Sequence, residues 1–281
     1  MKIASWNIEG RLTRYANEDE RGSPEHILRE IKAINADVIA LPDAFHERPE
    51  SGVDDALLRM GYEWCDAAYQ DKGREEEYAG KMPHMRLLSR LAIDAFQLVR
   101  WADCRTVLIA TIQDQASKRL IEFMVQHNDD RSKYMRQAQV REQVEYINTA
   151  DAEIVALGDW NEMHPDSWRA RLFGSTAIRA AVEHIPNDAT RQIGQQFVDM
   201  AEGGAIRYLE EQTDLRTLDP CHRPTTTPKI RGPLERMPSI RVAQLDHIYV
   251  SRGIQAEALR IAKDGGSDHR AILTTIHSMA A

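Results

Sequence analysis

Residues 154–161 read IVALGDWN, an apolar run that ends abruptly in Asp159 and Asn161. Short runs of Val, Ile and Leu are typical of buried β-strands, so we predict a strand over Ile154–Gly158. Polar side chains directly after such a strand lie at the edge of a sheet, where functional groups are commonly placed. Several other segments of the chain end in the same way.

Strand patterns and helical patterns alternate along the chain. The other predicted strands are Lys2–Ile8, Val38–Leu41, Thr106–Ile112, Leu120–His127, Gln244–Ser251 and Ala271–Ile276. The predicted helices are Ser23–Ala36, Asp129–Asn148, Ser167–Ile185 and Ala189–Met200. Because the two kinds of element interleave throughout, the pattern favours an α/β or α+β fold over a row of separate modules.

Composition excludes several classes of protein. The chain has 281 residues, and 36 Lys and Arg against 44 Asp and Glu give a net charge of −8. This balance argues against a protein that holds nucleic acid mainly by bulk positive charge. We expect no membrane span, because no run approaches the ~18 apolar residues that a membrane helix needs. The start, MKIASWNIEG, lacks the pattern of a secretory signal.

Cysteine usage indicates the redox compartment. Cys65, Cys104 and Cys221 are far apart and form no CxxC pair. We therefore expect no disulfide-linked partner and no thiolate zinc site. Unpaired thiols without a secretory signal favour the reducing cytoplasm.

Polar residues at the ends of the predicted strands are the candidate functional groups. They are Asn7, Glu9, Asp43, His127, Asp159, Asn161, Asp246, Asp268 and His269. Carboxylates and an amide at one sheet edge supply hard oxygen ligands for Mg²⁺ or Ca²⁺, and an Asp can orient a His as acid or base. Zinc is less favoured, because the sequence offers neither three His ligands nor a thiolate set.

These residues lie in motifs that run in a fixed order over residues 2–276. The motifs are KIASWNIEG, ADVIALPDAF, LLSR, FMVQHNDD, ALGDWN, QLDHIYVS and GGSDHR. In this order the chain resembles the endonuclease/exonuclease/phosphatase superfamily. The resemblance implies a four-layer α/β/β/α sandwich, in which two packed, mostly antiparallel sheets are flanked by helices, with residues 1–281 as a single domain. It also implies hydrolysis of phosphoesters with a divalent metal, Mg²⁺ first and Mn²⁺ or Ca²⁺ as alternatives.

The same resemblance implies a role for each candidate residue. Catalytic roles are implied for Asp159, Asn161, His269, Asp246 and His127. Metal binding is implied for Asp43, Glu9, Asp268 and Asn7, and Asn7 also contacts the phosphate. The general base is either Asp159 or the Asp246–His269 pair.

One motif departs from the family pattern. Leu41-Pro42-Asp43 stands where the family usually reads LQE. Asp is one methylene shorter than Glu, which withdraws the carboxylate by roughly 1.5 Å, whereas bonds to Mg²⁺ tolerate only about ±0.2 Å. Either the backbone moves inward, Glu9 takes over, or a water bridges the gap.

A basic segment with many prolines precedes the predicted strand Gln244–Ser251. Pro220–Ala243 holds five of the eleven prolines and carries a charge of +4 in an acidic chain. The segment is either a solvated surface loop or a loop beside an anion site, and in the second case we expect Arg223 and Arg231 to contact phosphate. Its charge suits one or two phosphates, which favours a small or single-stranded phosphoester.

Three other functions stay open at this point. The first is an endonuclease or exonuclease that acts on DNA or RNA. The second is a binding domain of the same fold with weakened catalysis. A serine hydrolase is least favoured, because the sequence has no G-x-S-x-G elbow.

Overall fold

Two sheets and the helices on their outer faces make up the structure, a computed structural model. It describes residues 1–13, 23–46, 48–68, 83–102, 105–130, 132–219, 221–226, 243–263 and 267–278. The strands are β1 (Lys2–Ser5), β2 (Val38–His46), β3 (Glu63–Ala68), β4 (Pro83–Ser89), β5 (Ile93–Trp101), β6 (Arg105–Gln113), β7 (Leu120–His127), β8 (Glu153–Asp159), β9 (Arg216–Thr217), β10 (Asp246–Val250), β11 (Ile254–Ala256), β12 (Arg260–Ile261) and β13 (Ile272–Ser278). The helices are α1 (Pro24–Ile34), α2 (Val53–Arg59), α3 (Lys133–Thr149), α4 (Trp168–Phe173), α5 (Thr176–Glu183), α6 (Asp188–Met200) and α7 (Gly204–Gln212).

Both sheets are mixed. The first has the order β11-β13-β1-β2-β4-β3, with β12 also paired to β13, and the second has the order β5-β6-β7-β8-β10-β9. Each contains one parallel pair, β1 with β2 and β7 with β8, and its other neighbours are antiparallel. The carboxyl ends of each parallel pair therefore lie at one edge of their sheet.

Alternating side chains explain the layers. On β8, Val155 and Leu157 belong to the apolar cluster between the sheets, whereas Ile154 and Ala156 belong to the cluster under α3 and α7. A third cluster packs α1 against the first sheet through Ile27 and other residues. Three apolar interfaces separate four layers, which confirms the predicted α/β/β/α sandwich.

The structure corrects the helix predicted over Ser167–Ile185. Two short helices, α4 and α5, occupy this range instead. The chain turns at Gly174, and Ser175 starts α5 by accepting a hydrogen bond from the backbone N–H of Ile178 at 3.4 Å. The prediction also missed β3, β4 and β5. Strand β5 is an edge strand with most side chains exposed, so it lacks the alternation that identifies a half-buried strand.

None of the helices in the described part of the chain is long and apolar enough to cross a membrane. Cys65 is a buried free thiol and Cys221 an exposed one. Cys104 lies outside the described residues.

Gly158 is required by the close approach of β8 to β7. Its φ is +148°, and a Cβ placed on it would lie 2.0 Å from the backbone oxygen of Gln126. We expect Gly158→Ala to lower the free energy of unfolding by about 3 kcal/mol or more, since strain and overpacking add. Urea denaturation measures this. Gly52→Ala is the control, because Gly52 has a φ of +84° but open space around it. Equal losses in the two variants would contradict the role of the contact.

Candidate active site

The carboxyl ends of strands from both sheets meet at Asp159. Asn7, just beyond β1, donates a hydrogen bond from Nδ2 to Oδ2 of Asp159 at 3.0 Å. Within the second sheet, Asp159 is the register partner of His127 on β7 and of Asp246 on β10. Four of the predicted strand-end residues, Asn7, His127, Asp159 and Asp246, are therefore brought together, and both sheets contribute to the cluster.

His269 is held by a buried carboxylate. Its Nδ1 lies 2.8 Å from Oδ2 of Asp246, which is fully buried. The same oxygen accepts hydrogen bonds from the hydroxyls of Thr225 at 2.8 Å and Thr226 at 3.4 Å. The Nε2 atom of His269 consequently points away from Asp246, towards Asp159 Oδ2 at 3.8 Å.

Two histidines face the carboxylate of Asp159 from opposite sheets. Nε2 of His127 lies 3.7 Å from Oδ2 of Asp159, nearly the same distance as Nε2 of His269. These distances exceed hydrogen-bond length, so neither Nε2 atom bonds to the carboxylate, and both lie beside the same oxygen of Asp159. A group with acceptor oxygens placed there can receive hydrogen bonds from both imidazoles.

Burial and neighbouring charges set the protonation of this cluster. Burial alone lowers the pKa of His269, but the carboxylates of Asp246, Asp268 and Asp159 outweigh it and raise that pKa to about 10. Burial also lowers the pKa of His127, and Arg105 adds to this effect. Burial raises the pKa of Asp159, against the opposing influence of the two histidines. His269 is therefore a cation at neutral pH, next to a carboxyl group of raised pKa.

Asn161 is fixed by backbone contacts. Its N–H donates to Oδ1 of Asp159 at 2.9 Å, and its Nδ2 donates to the carbonyl of Asn128 at 2.9 Å. Its φ is +50°, a left-handed conformation that Asn tolerates better than most residues. Arg105 donates to the same carbonyl of Asn128 at 2.8 Å. The turn after β8 is thus fastened to the end of β7.

The three acids predicted to bind metal lie around the opening of the site. The side chains of Glu9, Asp43 and Asp268 are 15%, 15% and 21% exposed. Oδ1 of Asp43 lies 3.2 Å from Nε2 of His46, yet it makes no hydrogen bond of good geometry with the described residues. Oε2 of Glu9 accepts from Arg11 at 3.2 Å and faces the N–H of Asp268 at 3.5 Å.

The chemistry of this donor set suits a hard divalent cation, although the oxygens of Glu9, Asp43 and Asp268 do not all lie within 4.8 Å of one another. Carboxylate and amide oxygens are the ligands that Mg²⁺ prefers, and the buried oxygen of Asp43 still has capacity to accept. In the described residues, the ligand atoms that approach within 4.8 Å of one another belong instead to Asp159, Asp246 and His269. There, however, Oδ2 of Asp246 already accepts from two hydroxyls and faces Nδ1 of His269. The acids around the opening are the more accessible ligands.

Of the two predicted phosphate contacts in the basic loop, Arg223 is held by other groups. Nε of Arg223 donates to Oδ1 of Asp219 at 3.2 Å, and its Nη2 donates to the carbonyl of Leu259 at 2.6 Å. Arg231 lies outside the described residues. Their contact with substrate stays a prediction.

Four residues of the site were not found from the sequence. They are Thr225, Thr226, His46 and Arg105. Threonines in a proline-rich segment resemble ordinary loop residues, and their contacts with Asp246 and His269 are long-range. Of these four residues, His46 is the one that lies close in sequence to a predicted site residue, since it follows Asp43 by three positions.

A comparison with protein families decides the relationship. The sequence model of the Endonuclease/Exonuclease/phosphatase family matches residues 4–269. The chain belongs to this family. Among curated proteins, none matches the sequence significantly.

Solved structures share the fold at low sequence identity. An endonuclease/exonuclease/phosphatase from Beutenbergia cavernae DSM 12333 is 16% identical, with a TM-score of 0.66 over 99% of this chain and 71% of that chain. The human Nocturnin catalytic domain with a bound sulfate anion is 16% identical, with a TM-score of 0.57 over 99% of this chain and 94% of that domain. A 3′ phosphatase from Neisseria bound to a product DNA hairpin is 16% identical, with a TM-score of 0.54 over 99% and 99%. These likenesses establish the fold alone.

Proposed function

We propose that this member of the Endonuclease/Exonuclease/phosphatase family hydrolyses a phosphodiester or phosphomonoester with the help of a divalent cation, Mg²⁺ first. One observation carries the proposal: the carboxylate of Asp159 is surrounded by Asn7, His127 and His269, with distances of 3.0, 3.7 and 3.8 Å. Donors on several sides of a buried carboxylate suit a phosphate that is attacked by water. Because residues near both chain ends build this site, we also propose one domain over residues 1–281.

Asp159 is the favoured general base. His269 is already protonated, with a pKa of about 10, so it suits donation to phosphate oxygens better than acceptance of a proton. Within the described part of the chain, Oδ2 of Asp159 accepts one hydrogen bond, from Asn7 at 3.0 Å, and lies beside both histidines. A water held there loses its proton to Asp159 as its oxygen attacks phosphorus in line. The bond from phosphorus to the ester oxygen on the opposite side then breaks, and that oxygen takes a proton from solvent. His127 and Asn161 then stabilise the charge that develops on the phosphoryl oxygens.

The cation site is proposed at the acids around the opening. Asn7, Glu9, Asp43 and Asp268 would hold the ion. When bound, a divalent cation neutralises phosphate oxygens and makes a nucleophilic water more acidic. The family membership and the oxygen-rich donor set support this assignment.

The substrate is proposed to be small or single-stranded. The net charge of −8 disfavours a long duplex footprint. An endonuclease or exonuclease is the second candidate, since one structure of similar fold is described as a 3′ phosphatase bound to a DNA hairpin. The free thiols of Cys65 and Cys221 support a reducing, cytoplasmic setting.

A panel of generic substrates tests the function. Purified protein with Mg²⁺ or Mn²⁺ should hydrolyse bis-p-nitrophenyl phosphate, p-nitrophenyl phosphate or single-stranded nucleic acid, and EDTA should abolish the activity. The absence of turnover on every diester, monoester and nucleic acid, with any divalent metal, would leave the binding domain as the better account.

Asp43, which stands where the family usually has Glu, is the subject of a separate prediction. Asp43→Glu lengthens the side chain by one methylene and restores the usual family acid, so we expect the Mg²⁺ concentration for half-maximal activity to fall by about tenfold. Metal titration of turnover measures this, and Asp55→Glu on α2 is the control. If Asp43→Glu leaves the titration unchanged, Asp43 does not bind the ion.

A further inference from the structure

The helices α4–α7 form a segment that follows the candidate active site in the chain. The segment begins just after Asn161 and returns to β10 at Asp246, which pairs with Asp159. Glu162 accepts a hydrogen bond from the N–H of Ala205 at 3.0 Å, which fastens the first turn of α7 beneath the site. The position of these helices relative to the site is therefore set by residues next to Asn161.

A shallow, open cavity of about 370 Å³ lies at the surface among these helices. Arg171 on α4, Arg179 on α5 and Arg207 on α7 line it together with Glu202 and Pro165. Pro165 belongs to the segment that leaves the site after Asn161. The cavity is thus bounded by chain that runs directly from the catalytic cluster.

The single carboxylate that lines the cavity is neutralised within the fold. Oε2 of Glu202 accepts from Lys133 at 2.8 Å, and Oε1 accepts from Arg179 at 3.0 Å. Burial raises the pKa of Glu202, but the hydrogen bond and charge of Lys133, with Arg179, outweigh it and lower the pKa. Glu202 is therefore ionised, and both of its carboxylate oxygens are paired with Lys133 and Arg179. Its negative charge does not neutralise the other arginines of the cavity.

Arg171 and Arg207 remain available to a ligand. The carboxylate of Asp166 is 3.9 Å from Arg171, and both side chains are more than two-thirds exposed, so this pair is weak. Within the described ranges, the guanidinium of Arg207 has no hydrogen-bond or ion-pair partner. One weakly paired and one unpaired guanidinium group at one cavity are suited to a phosphate, whose oxygens match the arginine fork.

An exposed aromatic residue next to the cavity indicates which kind of phosphate. Trp168 starts α4, one helical turn before Arg171, and it is 62% exposed. The guanidinium of Arg169 lies over one face of the ring, 4.4 Å from its centroid, so a base would stack on the opposite face. Exposed aromatic rings next to basic groups are how proteins bind successive bases of single strands.

We propose that the cavity between α4, α5 and α7 is a second phosphate subsite, which takes a backbone phosphate of a single-stranded oligonucleotide while Trp168 stacks on a base. This inference rests on the proposed function, because the scissile phosphate of the same strand lies at Asp159. The helical segment is then the part of the chain that selects a strand over a small phosphoester.

Binding without turnover tests the subsite. Fluorescence anisotropy in EDTA measures the binding of a labelled single-stranded oligonucleotide. For the Arg171→Ala/Arg207→Ala variant we expect Kd to rise by about tenfold for each arginine removed. The dependence of log Kd on log salt concentration should also become shallower by about 0.7, as for one lost phosphate contact. Arg252→Ala is the matched control, since this exposed arginine follows β10 at the end away from Asp246. Equal Kd values for the double variant and the control would overturn the proposal.

Two further measurements separate the strand from free phosphate, and the subsite from the function. Trp168→Ala should weaken oligonucleotide binding by about tenfold but leave competition by inorganic phosphate unchanged; an unaffected oligonucleotide would overturn the strand assignment. The double arginine variant should raise KM for an oligonucleotide and keep the wild-type rate on bis-p-nitrophenyl phosphate; equal losses on both substrates would overturn the subsite. If the wild type turns over nothing while the binding differences persist, the subsite stands and the proposed function fails.

Discussion

Replacement of Asp159 by asparagine is expected to lower kcat by about 10³-fold, while the protein stays folded. Asparagine keeps the shape and still accepts from the N–H of Asn161, but it removes the carboxylate that faces Asn7, His127 and His269. A base that has lost its charge cannot take the proton from water. Steady-state kinetics on any substrate that the wild type hydrolyses measures the loss.

The control for this variant lies just before the same strand. Asp151→Asn changes an exposed acid two residues ahead of β8 and should keep the wild-type rate. Urea denaturation of both variants establishes that each is folded. If Asp159→Asn retains more than about a tenth of the wild-type kcat, the general base must be sought at Asp246–His269.

Local sequence patterns were sufficient to predict the strands that carry the site. The prediction for Leu120–His127 matches β7 residue for residue, and that for Ile154–Gly158 falls within β8. Both strands are buried, so their apolar runs reflect a constraint that acts along the strand itself. Polar residues at the ends of such runs are conspicuous, which is why His127 and Asp159 were found.

Contacts between distant segments were beyond local patterns. Thr225 and Thr226 contact Asp246 because the chain after β9 folds back across the edge of the second sheet. No periodicity in a proline-rich segment encodes that return. The pairing of His46 with Asp43 depends on an irregularity in β2, where the register with β4 shifts between Leu41 and Phe45. Pro42 lies within this irregularity and has no N–H to give to a regular ladder.

The helical segment α4–α7 shows a different limit. Its amphipathic patterns predict helices, but the break between α4 and α5 depends on Gly174. A single glycine within a helical pattern does not by itself predict a break. The arginines of its cavity come from three separate helices. A charge cluster assembled in this way becomes visible only when the helices are packed together.

Asp246→Asn is expected to reduce kcat by about 10³-fold for a reason other than loss of a base. Oδ2 of Asp246 faces Nδ1 of His269 at 2.8 Å, so it orients the imidazole and stabilises its charge. An amide at this position supplies no negative charge, and when its nitrogen faces Nδ1 it favours the wrong tautomer. His269 then loses both its orientation and its cationic state, and phosphate oxygens lose a donor.

An NMR titration of the His269 imidazole in metal-free protein separates this role from a structural one. In the wild type the pKa of His269 is raised to about 10, so the ring stays protonated throughout the neutral range. A raised histidine pKa contributes stability that is complete below about pH 6.5 and is lost as the pH rises through about 10. In Asp246→Asn both the imidazole titration and this loss of stability should move to lower pH, while Thr225→Val, which removes only a hydroxyl from Asp246, should shift them little. An unchanged titration in Asp246→Asn would mean that Asp268 and Asp159 alone hold the proton on His269, and that Asp246 serves the fold rather than the reaction.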